Sequence, residues 1–369
     1  MKKTKVCFLV SSLCNEGPTN VMYNIIKYID YNTFDISIVT FIPEKQNSRI
    51  KDFESLPIKI IQLSPNKCIN FLKLYLRLKK TVKELEPEMF HAHCPRSLYL
   101  MSFLGKKYKK IYTIHNYPNE LQKILYGKAK GSIIIKLNNF FTNRIDIPIC
   151  CAPNIQEKYL HEKGWHFLCI HNGTSMPIWN RDQKRRANIR KKLEMKENIK
   201  YFIFIGRFSP EKNPDLLVYT FKELANMNIG LIMLGNGPLW STLKREETEN
   251  IIIPGFQTNI YDYIVASDYY ISASDTEGLA NTLLESMSVG LPMLLSNIPS
   301  HQAIMAEFKT NVGYLYNQHN KDELKEKIIK ATQINKEEAT TEIQYIFSHK
   351  YTAKIMSSKY QDVYKSFKN

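Results

Sequence analysis

The 369-residue chain is 44% apolar and 12% aromatic, enough for real cores and incompatible with a mainly disordered polymer. No uncharged apolar run reaches the roughly 18 residues of a membrane-spanning helix, and seven cysteines without metal-type spacing fit reduced thiols in a cytosol better than a disulfide framework. The formal charge of +16 is uneven. Residues 1–175 hold 26 Lys and Arg against 13 Asp and Glu, a net of +13 that leaves +3 for the remainder, so the first half is expected to face an anionic partner.

In chain order, the basic start at residues 1–5 runs into a strand candidate at 6–10, with no small-residue cleavage site behind it. The loop Asn15-Glu16-Gly17-Pro18-Thr19-Asn20 follows, then strand candidates at 36–42 and 58–63. Over 71–85, Phe71, Leu74, Tyr75, Leu78, Val82 and Leu85 recur at a helical period. Lys73, Arg77, Lys80, Lys79 and Lys83 share the rest of that helix. The plain reading is a helix packed on a sheet with a solvated basic face; the sharper one is a helix whose cations meet anionic lipid.

Strands at 89–93 and 111–115 each end in histidine. His91 and His93, two apart with no acidic or Cys third ligand, are not expected to hold a metal. Residues 121–144 mix Lys123, Lys128, Lys130 and Lys136 with apolar 133–135 and Phe140-Phe141. A strand at 145–152, with Cys150 and Cys151 as core residues, closes the first series. The polar, basic stretch around 179–200 reads as a linker plus a first helix, after which the pattern restarts at 201–206, 229–235, 251–255, 269–274, 292–296 and a shorter strand near Tyr314. A last helix at 352–367 has no strand after it and is free to pack back on the first domain. Strands fed by intervening helices give parallel sheets covered on both faces. The expectation is two doubly wound α/β domains, 1–175 with about 350–369 packed back on it, and 176–349.

Open parallel sheets bind ligands beyond the carboxyl ends of their strands, which directs attention to three loops. After 201–206, Gly206 permits a sharp turn, and Arg207 and Lys212 offer a planar fork and a point charge suited to a diphosphate. Both cations are expected to stand partly exposed, and a pair of ordinary surface charges is the plain alternative. After 229–235, Gly235-Asn236-Gly237-Pro238 is a poor dinucleotide fingerprint, since Trp240 holds the third glycine position; a tight turn is the safer reading. After 269–274, Glu277 lies in the loop and Glu285 inside the helix that follows. The amides of 278–282 would form an anion site at that helix's N-terminus, Glu277 could hold sugar hydroxyls and Glu285 a ribose diol. The alternative for Glu277 is an acidic first turn favoured by the helix dipole.

These pieces occur in one order: the Gly206-Arg207…Lys212 cations, the Gly235-Asn236-Gly237-Pro238 turn, Glu277 and Glu285 with seven residues between them, and Gly290-Leu291-Pro292 closing the helix. As a set they resemble the retaining glycosyltransferases of family 4, with the GT-B fold. His91-Ala92-His93 and Tyr112-Thr113-Ile114-His115 resemble strand ends of that family's first domain, and Ile170-His171-Asn172-Gly173 resembles the element before its linker. The family often has a double glycine after the first strand; here Gly17 alone remains, with close backbone approach still expected near it.

The resemblance implies two Rossmann-like domains facing each other across a cleft, and a nucleotide diphosphate sugar donor, UDP-linked in the first instance. It implies catalytic roles for Glu277, Arg207, Lys212 and His115. Donor contacts would come from Gly206, Asn236, Gly237, Gly255, Phe256, Gly278, Leu279, Ala280, Asn281, Thr282 and Glu285, and an acceptor-side loop from Gly17, Pro18 and Thr19. No cofactor beyond the donor is implied. No Asp-x-Asp pair exists, so no metal is expected. The acceptor would be a saccharide, lipid-linked in surface polysaccharide or glycolipid assembly, with the protein peripheral at the cytoplasmic face of the cell membrane through its basic first domain. Two alternatives stay open: a sugar-nucleotide epimerase or inactive transferase subunit of the same fold, and a basic nucleic-acid-binding protein, although no nucleic-acid module is recognisable.

Overall fold

The computed structural model describes residues 3–66, 70–118, 122–123 and 126–367. The chain divides into two compact units, Met1–Gly173 with Ala353–Asn369, and Thr174–Thr352. Leu121, which opens the basic stretch at 121–144, and residues 368–369 of the last helix expectation lie outside the described residues.

The first unit is built on a parallel sheet in the order β3-β2-β1-β4-β5-β6-β7. Its strands are β1 (Thr4–Val10), β2 (Phe34–Thr40), β3 (Lys59–Gln62), β4 (Met89–Ala92), β5 (Lys109–Ile114), β6 (Ile147–Cys150) and β7 (Leu168–Cys169). The central β1 and β4 are buried almost throughout and pair Val6 with Met89 and Phe8 with His91. Their near-continuous apolar runs are what a sheet covered on both faces requires. Strand β7, which the sequence pattern did not reveal, is two residues long and too short to show a period. The last helix, Ala353–Ser366, completes this unit. Ser357 Oγ donates to the Ile25 carbonyl at 2.7 Å, the Asp30 amide donates to Gln361 Oε1 at 3.0 Å, and Met356, Tyr360 and Tyr364 sit in one buried cluster with Val6, Phe8 and Ile25.

The second unit holds a parallel sheet in the order β10-β9-β8-β11-β12-β13. The strands are β8 (Lys200–Ile205), β9 (Ile229–Leu234), β10 (Ile251–Gly255), β11 (Tyr269–Ser272), β12 (Met293–Ser296) and β13 (Gly313–Tyr316). The buried Asp268 ties the sheet to its first and last helices. It accepts from the Tyr201 amide at 2.9 Å and pairs with Arg186 at 3.0 Å and Lys336 at 2.7 Å. Burial alone would raise its carboxyl, but Lys336 and Arg186 outweigh that and hold it below the ordinary carboxylate value. Strand order reverses between β8 and β11, so the loops leaving their carboxyl ends part on either side of a topological switch point.

Candidate functional site

The loops after β8, β9 and β10 are pressed together by their glycines. Gly235 has φ +146°, and a Cβ there would fall 1.8 Å from the Gly206 carbonyl oxygen; a Cβ on Gly237 would fall 2.4 Å from that of Phe208. The Phe208 amide donates to the Asn236 carbonyl at 3.0 Å, and the Leu239 amide donates to the Phe208 carbonyl at 3.0 Å. These glycines therefore serve backbone-to-backbone approach between two strand ends, beside the tight turn that the Trp240 amide closes on the Gly237 carbonyl at 3.0 Å. Gly255, at φ +86°, continues the arrangement: its carbonyl accepts from the Gly235 amide at 3.0 Å, and Trp240, close beside it, stacks on Phe208. Phe256 and the Asn236 side chain stand exposed at the edge.

A second set of bonds joins the β8 loop to the β11 loop. Pro210–Lys212 form one 3-10 turn, ended by Asn213 in the left-handed region at φ 46°. Asn213 Nδ2 donates to the Ala273 carbonyl at 3.0 Å and to Asp275 Oδ1 at 2.7 Å, and the Asp275 amide donates to the Glu211 carbonyl at 2.9 Å. This cross-linking brings Lys212 Nζ onto Glu277 Oε1, which also accepts from Ser274 Oγ at 2.8 Å. The lysine side chain is 21% exposed and the glutamate 12%. Burial pushes the Glu277 carboxyl up, but the charge and hydrogen bond of Lys212 prevail, and it lies below its ordinary value. Ionised at neutral pH, Glu277 can only accept hydrogen bonds. Arg207 is exposed on the same loop.

The helix Asn281–Val289 begins after Ala280, its N-cap, so Glu277 stands upstream of the first turn and the helix-dipole explanation does not reach it. Gly278, Leu279 and Ala280 likewise belong to the loop, and only Asn281 and Thr282 of the expected amide set lie in the first turn. The first ladder bond is Leu284 amide to Ala280 carbonyl at 3.3 Å. Glu285 is 9% exposed within the helix, and Gly290 ends it at φ +82°.

His301 was missed by the sequence reading, although it follows β12 and the carboxyl-end rule applied to it as to the other loops. It is 2% exposed, its Nδ1 lies 2.8 Å from the Ser296 carbonyl oxygen, and burial lowers its pKa to about 4.

In the first unit the two strand-end histidines divide. His91 is structural: its ring nitrogens meet Tyr364 OH at 2.7 Å and Thr113 Oγ1 at 2.8 Å, and Thr113 in turn meets Tyr360 OH at 2.9 Å. His93 Nδ1 lies 3.3 Å from His115 Nε2, and burial lowers His115 to about 4. Gly17 is the first residue of the helix Gly17–Lys27, with open space where a Cβ would sit, and Thr19 is turned inward at 3% exposure. The acceptor-side loop reading of Gly17, Pro18 and Thr19 is thereby corrected: the chain enters a helix there instead of looping.

The helix Phe71–Leu85 buries Leu74, Leu78, Thr81 and Val82, and exposes Lys73, Lys80 and Lys83. Arg77 is engaged, donating from Nη1 to the Leu63 carbonyl at 2.8 Å. Beside it runs an apolar ridge that the charge pattern did not disclose. Phe71, Leu72, Phe103 and Phe140 are each about half exposed or more, and ring contacts connect Phe71 to Phe103, Phe103 to Phe141 and Phe141 to Phe140. Among the described residues no cluster of His, Cys, Asp and Glu is arranged to hold a metal, and no helix is long and apolar enough to cross a membrane.

Two family profiles match the chain, "Glycosyltransferase Family 4" over residues 16–176 and "Glycosyl transferases group 1" over 185–345. The chain is 25% identical over 373 residues to the O-antigen biosynthesis glycosyltransferase WclY of Escherichia coli, covering 98% of each. It is 22% identical over 302 residues to the UDP-Gal:alpha-D-GlcNAc-diphosphoundecaprenol alpha-1,3-galactosyltransferase of Escherichia coli, 74% of each. With the alpha-monoglucosyldiacylglycerol synthase of Streptococcus pneumoniae it shares 24% identity over 69% of this chain and 62% of that one. Among solved structures, Anabaena Alr3699/HepE in complex with UDP and glucose superposes with a TM-score of 0.81 at 16% identity, covering 98% of this chain and 100% of that one. WaaG, a glycosyltransferase involved in lipopolysaccharide biosynthesis, gives 0.76 at 13% identity, covering 97% and 99%.

Proposed function

The chain belongs to the family 4, group 1 type of glycosyltransferases, enzymes of GT-B fold, and from that premise we propose that it is a retaining transferase that takes its sugar from a UDP-sugar. The acceptor is a lipid-linked saccharide or glycolipid in surface polysaccharide or glycolipid assembly. The observation that carries the donor reading is the Lys212–Glu277 pair, set at the carboxyl ends of β8 and β11 among glycine-pressed loops. Support for the nucleotide comes from the relatives' own names: one transfers from UDP-Gal, and HepE was solved with UDP and glucose.

Breaking the sugar–phosphate bond places developing charge on the diphosphate. In this reading Lys212 and Arg207 neutralise it, as preorganised donors do at other sites of charge development. Glu277, held ionised, accepts from sugar hydroxyls and fixes the sugar beside its phosphate, while Glu285 accepts from the ribose diol. The leaving phosphate takes the acceptor's proton, so the protein supplies position and charge instead of a strong side-chain base. His115, neutral by burial, contributes a hydrogen bond and no charge. With no Asp-x-Asp pair in the chain, the reading assigns the diphosphate charge to these cations and to loop amides, without a metal.

For the acceptor, one relative is named for a diphosphoundecaprenol-linked sugar and another for a glucosyldiacylglycerol. The exposed cations Lys73, Lys80 and Lys83, flanked by Phe71, Leu72 and Phe103, fit an anionic lipid surface that is held by charge and by shallow apolar insertion. In this reading the protein is peripheral at the cytoplasmic face of the membrane.

The test is a panel of nucleotide sugars read by thermal stabilisation, followed by NMR of the product's anomeric centre. A ligand at 100 times its dissociation constant adds about 2.7 kcal/mol. UDP and one UDP-sugar should stabilise the second unit, and product should keep the donor's anomeric configuration. A protein indifferent to all UDP compounds, or an inverted product, overturns the reading.

A further inference from the structure

Beneath the Lys212–Glu277 pair lies a chain of hydrogen bonds that no expectation included. Ser274 Oγ donates to Glu277 Oε1 at 2.8 Å. The Ser274 carbonyl accepts from Ser296 Oγ at 2.6 Å. Ser296 in turn faces His301 Nδ1 through its carbonyl oxygen at 2.8 Å and its hydroxyl at 3.2 Å. All three supporting residues are at most 2% exposed.

The partners fix the tautomer. A carbonyl oxygen only accepts, so Nδ1 must carry the proton, and in the neutral ring Nε2 keeps a lone pair. That Nε2 is buried without a hydrogen-bond partner among the described residues, and leaving a buried polar group unmet is costly. The imidazole is also within electrostatic reach of the site above, since His301 and Glu277 each influence the other's ionisation and Lys212 influences His301.

We propose that His301 is a positioning residue for the transfer, holding the β11 loop and Glu277 through Ser296 and Ser274. It delivers one N–H to the end of β12, the Ser296 hydroxyl passes that constraint to the β11 loop, and Ser274 orients the carboxylate. His301 is thereby coupled, through the end of β12, to a carboxylate that stands 24 residues earlier in the chain. The functional half of the inference rests on the donor reading above.

The test compares His301→Leu, His301→Asn and Ser296→Ala in the full chain, with UDP affinity measured beside turnover. Asparagine places an N–H close to where Nδ1 stood, and leucine does not. Misplacement by about 1 Å can cost about 10²-fold in rate, so H301L and S296A should lose about 10–10²-fold in kcat. UDP affinity should be little changed, and H301N should recover most of the loss. UDP affinity falling in step with kcat, or H301N as impaired as H301L, overturns the inference. Should the parent protein turn over no nucleotide sugar, the donor reading fails on its own. Positioning is then read from a crystal structure of H301L, where a displaced Glu277 supports it and an intact Ser274–Glu277 contact overturns it.

Discussion

Replacing Lys212 with Ala separates its role from that of Arg207, although both are assigned to the same diphosphate. At neutral pH the change leaves a carboxylate that is 12% exposed without its lysine, still accepting from the Ser274 hydroxyl. Removing one partner of a fully buried pair costs 3–5 kcal/mol, but Lys212 is 21% exposed, which screens the pair and reduces the figure to about 2 kcal/mol. For a unit the size of Thr174–Thr352 that is a loss of roughly 4–8 °C in Tm. Arg207 is exposed, and its replacement should stay within about 0.5 kcal/mol. Turnover should fall on the order of 10²–10³ in both variants.

The stability gap is pH-dependent in a defined direction. Glu277 has a folded pKa below its unfolded value, so its contribution is present above the ordinary carboxylate value of about 4.3 and is lost as pH falls through the lower, folded value. The parent and K212A should therefore differ clearly at pH 7 and converge near the acid end of the folded range. Calorimetry across pH 3.5–7, with hydrogen exchange to assign the transition to the second unit, reads this. Equal melting of K212A and the parent at pH 7, with R207A the less stable variant, would refute the placement of the ion pair.

Gly237→Ala should impair donor binding and lower the stability of the second unit, because the added Cβ meets the Phe208 backbone at 2.4 Å; equilibrium unfolding and UDP titration read both. Chelator should leave transfer unchanged, and activity lost in EDTA and restored by manganese or magnesium would show a metal requirement. In the first unit, His91 lowered to about 3 and His115 lowered to about 4 by burial bind protons in the unfolded chain before the folded one. That unit should be fully stabilised above about pH 6.5 and lose stability progressively down to about pH 3, seen as earlier hydrogen exchange in β4 and β5. Reversal of Lys73, Lys80 and Lys83 to Glu should release the protein from anionic vesicles at physiological salt, each cation contributing about 1 kcal/mol. Phe103→Ser should reduce the binding that survives high salt, and co-sedimentation indifferent to both changes would remove the lipid face.

What the sequence determined by itself was local. Strands β8 to β13 were expected within two residues of where they stand, and the helix Phe71–Leu85 at its observed bounds, because β-branched runs and a 3.6-residue period are written in neighbouring residues. The order of Gly206, Lys212, Gly237, Glu277 and Glu285 was likewise visible, and with it the family. The tertiary structure decided who meets whom. Lys212 and Glu277 are 65 positions apart, and nothing in either segment announces that they pair. Gly237 reads as a turn residue, but only the fold shows the Phe208 backbone against it; His91 until Tyr364 arrived from 273 residues away could have been placed at a site, and Arg77 looked free until it bonded the Leu63 carbonyl. The physical reason is common to these cases: hydrogen bonds, ion pairs and close backbone contacts act over a few ångströms, while the residues that make them are brought together only when the whole sheet has closed. Periodicity survives in the unfolded chain; proximity does not.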